Sequence, residues 1–73
     1  MAVENERDEE AIIQAAYEAR VRELFMVLAE SLATGEDEVR MKERFRRTLQ
    51  SAKKARSLAL EAAAEERQRA ARG

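Results

Sequence analysis

The chain contains no proline, and Gly35 is its only glycine apart from the terminal Gly73. Those two residue types break regular structure most strongly. Everything on either side of Gly35 is therefore free to be helical, and one break in two helical stretches means a hairpin. Ala, Glu, Arg, Lys and Leu dominate both stretches, which is the composition of long helices and coiled coils.

The spacing of apolar residues agrees. Before the break, Ile13, Tyr17, Leu24, Leu28 and Ser31 recur at three, four or seven residues, with Val21 and Leu32 beside them. After it, the line begins at Val39 or Met41 and continues through Phe45, Leu49, Ala52, Ala59 and Ala63, with Leu58 and Leu60 beside it. This is the period of one helix face. The expected arrangement is a single all-α domain over residues 1–73. Helix 1 runs over about 8–33, a turn over 34–37, and helix 2 over about 38–69. Residues 1–7 are polar and aperiodic and read as a frayed start, and the tail EERQRAARG reads as a solubilising helix end. Asp8, Glu9 and Glu10 suit the positive end of a helix dipole, and Arg67, Arg69 and Arg72 suit the negative end. At the turn, Gly35 can end the first helix in a left-handed conformation, or Thr34 can cap the second with Asp37 three residues on. Local sequence supports both.

A linker this short forces the helices antiparallel. Folding there pairs positions whose numbers sum to about 71–73. Leu32 then faces Val39, Leu28 faces Phe45, Leu24 faces Leu49, Tyr17 faces Ala55 and Ile13 faces Ala59. Toward the open end, large residues on helix 1 meet alanines on helix 2, which lets helices approach closely.

Two helices do not satisfy this sequence. The run LFMVLA at 24–29 is apolar all round its helix, and such a helix is buried on more than one side. A chain of 73 residues rarely draws more than about 3–5 kcal/mol from its own core. Disulfides and the common zinc ligands are unavailable, because Cys and His are absent. The expected remedy is a partner. Either two hairpins dimerise into a four-helix bundle, or the hairpin docks on another protein, with Leu24, Phe25, Met26, Val27 and Leu28 at the interface.

Charge is split along the chain. Residues 1–37 hold ten acids and three bases, whereas 38–73 hold five acids and eleven bases. The halves can offset each other within the hairpin, or the basic half can meet an anionic partner. Arg40, Arg44, Arg47 and Lys54 share one face of helix 2 by helical spacing and form the candidate anionic face. The alternative is a solvated face balancing the acidic helix, and no aromatic or amide side chains stand beside the arginines to read bases.

The residue inventory argues against catalysis. No His or Cys is present to pair with a nucleophile, no Glu-x-x-His pair serves a di-iron site, and a lone glycine makes no phosphate loop. No cofactor is expected. The longest apolar run is far too short to span a membrane. The start, MAVENERDEE, is acidic where a secretory signal is basic, which points to the cytoplasm. The functional expectation is a non-enzymatic protein–protein interaction module, an adaptor, inhibitor or scaffold, acting as a homodimeric bundle. The alternative is a small nucleic-acid-binding regulator using the basic face of helix 2.

Overall fold

The computed structural model describes residues 2–72, and side chains over 8–72. It is an antiparallel helical hairpin: α1 spans Ala2–Ala33 and α2 spans Glu38–Arg72. The first helix extends earlier than the apolar periodicity marks. Residues 2–7 lack that periodicity but contain no helix breaker, so backbone propensity alone continues the helix through them. Met1, Gly73 and the side chains of 2–7 lie outside the described residues, and with them that part of the expected frayed start.

The turn assigns the caps. Gly35 has φ +86°, in the left-handed region. Its N–H donates to the Leu32 carbonyl (3.1 Å), and the Glu36 N–H reaches back to the Ser31 carbonyl (3.0 Å). This pair of bonds is the Schellman closure of a helix C-terminus. Thr34 belongs to the same closure, since its hydroxyl donates to the Ser31 carbonyl (2.9 Å). The N-cap of α2 is Asp37. Its carboxylate accepts from the Arg40 N–H (3.3 Å), and its carbonyl accepts the first helical bond, from Met41 (3.0 Å). Each helix end thus has its own residue, and Thr34 does not cap α2.

The period of α2, which puts Met41 one turn before Phe45, also settles its first apolar contact. Val39 and Met41 lie about 200° apart on the helix. Met41 turns toward α1 and is half-buried, while Val39 is 75% exposed. The expected Leu32–Val39 pairing is therefore not made, and Leu32 is itself 42% exposed.

Further along, Leu24, Leu28, Phe45 and Thr48 border one cavity between the helices, and Ile13, Tyr17, Ala55 and Ala59 border the next. Halfway up, the Arg56 guanidinium lies over the Tyr17 ring, 4.2 Å from its centroid. Toward the open end Arg67 reaches Glu10 at 3.7 Å. The other described ion pairs join residues three apart on one helix: Arg20–Glu23, Glu43–Arg46 and Glu66–Arg69.

The hairpin measures 56 × 18 × 9 Å across its Cα atoms. Its thickness is that of one helix, whereas a stable domain is built from at least two packed layers. Among the described residues, Leu24 is the one apolar side chain buried by the hairpin itself, with Ser31 beside it. No helix of the described chain is long and apolar enough to cross a membrane.

Candidate functional site

Successive residues on a helix point about 100° apart. Phe25, Met26 and Val27 therefore cannot form one surface, and they take three directions. Val27 borders the cleft between the helices, with Leu24, Leu28 and Phe45. Phe25 points to the opposite side of the hairpin, the side of Leu32 seven residues on. Met26 points away from α2. Phe25 and Met26 are each 61% exposed, and Val27 is about half exposed. Leu24 and Leu28 face α2 and belong to the hairpin's own contact. The five residues expected at an interface are thus divided between an internal seam and three outer directions.

One of those directions is a built surface. Three cavities open between the helices on the side of Val27. The cavity near the loop shares Arg20 with the central one, and the central one shares Ile13 with that near the open end. They form one groove. Its α1 wall is Glu9, Ile12, Ala16, Arg20 and Val27, and its α2 wall includes Met41, Thr48, Ala55, Ala59 and Ala62. Neighbouring wall residues are three or four apart, or seven where one lies between, so each wall is a continuous helix stripe. Sequence reasoning missed most of it. The spacing marks Ala52 and Ala59 and sets Ala55 and Ala59 opposite large residues, but it reads them as closing the seam, not as the wall of an open groove that continues to Ala62. Ile12 was passed over beside the better-aligned Ile13, yet Ile12 is 65% exposed on this side.

The basic residues are only partly brought together. Arg40, Arg44 and Arg47 line one shallow depression with Val39, Met41 and Glu43. Lys54 lies two turns further along the same side of α2 and is not part of it. None of the four takes part in an ion pair among the described residues. Glu43 moderates the depression's charge. The Arg46 guanidinium donates to it at 2.6 and 3.2 Å and holds its carboxyl below the usual carboxylate range, with Arg47 and Lys42 adding to the effect.

No cluster of three or more His, Cys, Asp or Glu placed to hold a metal occurs among the described residues. No protein-family profile, curated protein or solved structure matches the chain.

Proposed function

We propose that this chain is a non-enzymatic protein–protein interaction module, a small adaptor, inhibitor or scaffold, that works in the cytoplasm as a homodimeric four-helix bundle. One observation carries the reading. Among its described residues the hairpin buries a single apolar side chain and leaves Ile12 and Val27 exposed along a continuous groove whose other wall is largely alanine. A contiguous exposed apolar strip of this kind marks an interaction surface. A chain without cysteine or histidine gains most by covering that area with protein.

The test is circular dichroism melting across a hundredfold dilution series, paired with sedimentation. A dimer's melting temperature rises with concentration by mass action. A midpoint that stays fixed, with a monomer mass, overturns the reading.

The clustering of Arg40, Arg44 and Arg47, free of ion pairs, favours a second reading, a small nucleic-acid-binding regulator. A gel shift decides between them. A phosphate-binding face holds an oligonucleotide at about 50 mM salt and releases it steeply by about 200 mM. Changing the three arginines to glutamine then abolishes the shift. The first reading expects no shift from the wild type.

A further inference from the structure

The homodimer reading leaves open which face pairs and in which direction. Resting on that reading, we infer that a second copy of this chain covers the groove lined by Ile12, Ala16 and Val27 on α1 and Ala55, Ala59 and Ala62 on α2, with the two loops at the same end of the bundle.

Charge on the rims sets the direction. On the groove side of α1, Glu9 and Arg20 stand within the wall and helical spacing places Glu23 and Glu30 just beyond it, a set that sums to −2. The α2 rim carries Arg40, Arg44, Glu66 and Arg69, which sums to +2. Two hairpins closing face to face have two options. With the loops together, each α1 lies against the partner's α2, so both seams join −2 to +2. With the loops apart, α1 lies against α1 and α2 against α2, so both seams join like charges, and like charges facing each other across an interface are strongly disfavoured.

Volume points the same way. The α1 wall near the open end is large, with Ile12 and Ile13, and the α2 wall there is alanine. Joining α1 to the partner's α2 sets large residues against small ones.

The chain has no native cysteine, so Glu36→Cys in the exposed loop supplies one site for a spin label. The distance between the two labels, measured by pulsed electron resonance on a sample whose mass is checked by sedimentation, separates the outcomes. Loops together gives about 20 Å, two helix diameters of ~10 Å. Loops apart gives a distance near the 56 Å length of the hairpin, which overturns the arrangement and leaves the homodimer standing. A monomer mass overturns both.

The face is tested by Ala55→Glu against Ser57→Glu. Both residues are exposed in the single hairpin, and Ser57 lies outside the groove. Ala55→Glu is expected to weaken dimerisation at least tenfold, and Ser57→Glu to leave it within twofold. Unfolding of the Ala55 variant alone counts as the expected result, because a lone hairpin leaves that position in water. A dimer unaffected by Ala55→Glu overturns the choice of face.

Discussion

Leu24 lies where α1 meets Phe45 and Thr48, and no other described apolar side chain is so far from water. Truncating a large buried side chain costs about 2–5 kcal/mol, comparable to all that a core of this size supplies. Leu24→Ala is therefore expected to remove most helical signal at micromolar concentration. Val39→Ala removes a side chain that touches little and should shift the urea midpoint hardly at all. Both are read by urea titration followed at 222 nm, and equal shifts for the two would contradict the packing described. Folding the chain at Gly35 draws Val39 opposite Leu32, but the period of α2 decides otherwise: Met41, four residues before Phe45, shares its face, whereas Val39, six before it, points away.

At the scale of the element, each helix end has its own device. Gly35 with Thr34 closes α1, and Asp37 opens α2. Losing an N-cap carboxylate costs about 0.5–2 kcal/mol. Asp37→Ala is expected to lower stability by about 1 kcal/mol, while Asp37→Asn, which keeps an accepting oxygen, should recover most of the loss in the same titration. Thr34→Ala should cost less, because its hydroxyl bonds to a carbonyl that the Glu36 N–H also reaches. The two helices and the turn between them were legible because a lone glycine interrupts long apolar periodicities. The cap assignment was not, since Thr34, Gly35 and Asp37 are all competent and only the backbone angle at Gly35 decides. The groove was hidden for a different reason. The run at 24–29 is apolar in every direction and so gives no face, and the alanines of the α2 wall read as closing the seam.

At the scale of the whole molecule, the hairpin is one helix thick, so its free faces are as much a part of its physics as its seam. The contacts between α1 and α2 do not depend on both helices belonging to one chain. Gly35 alone makes them do so, by turning the backbone through an angle that a side chain disfavours. A Cβ at Gly35 meets nothing within 4 Å, so Gly35→Ala introduces torsional strain without a clash, about 1–2 kcal/mol for a left-handed residue. A chain can shed that strain by continuing α1 straight into α2. The seam is made again if two straightened chains exchange halves, the α1 of each lying on the α2 of the other. The expected product is a domain-swapped rod about 105 Å long at 1.5 Å per residue, against 56 Å for the hairpin. Small-angle scattering distinguishes the two lengths, and an unchanged maximum dimension for Gly35→Ala would show that the helix faces themselves enforce the fold-back. If the rod forms, one glycine is what separates a compact assembly from an extended strut made of the same contacts.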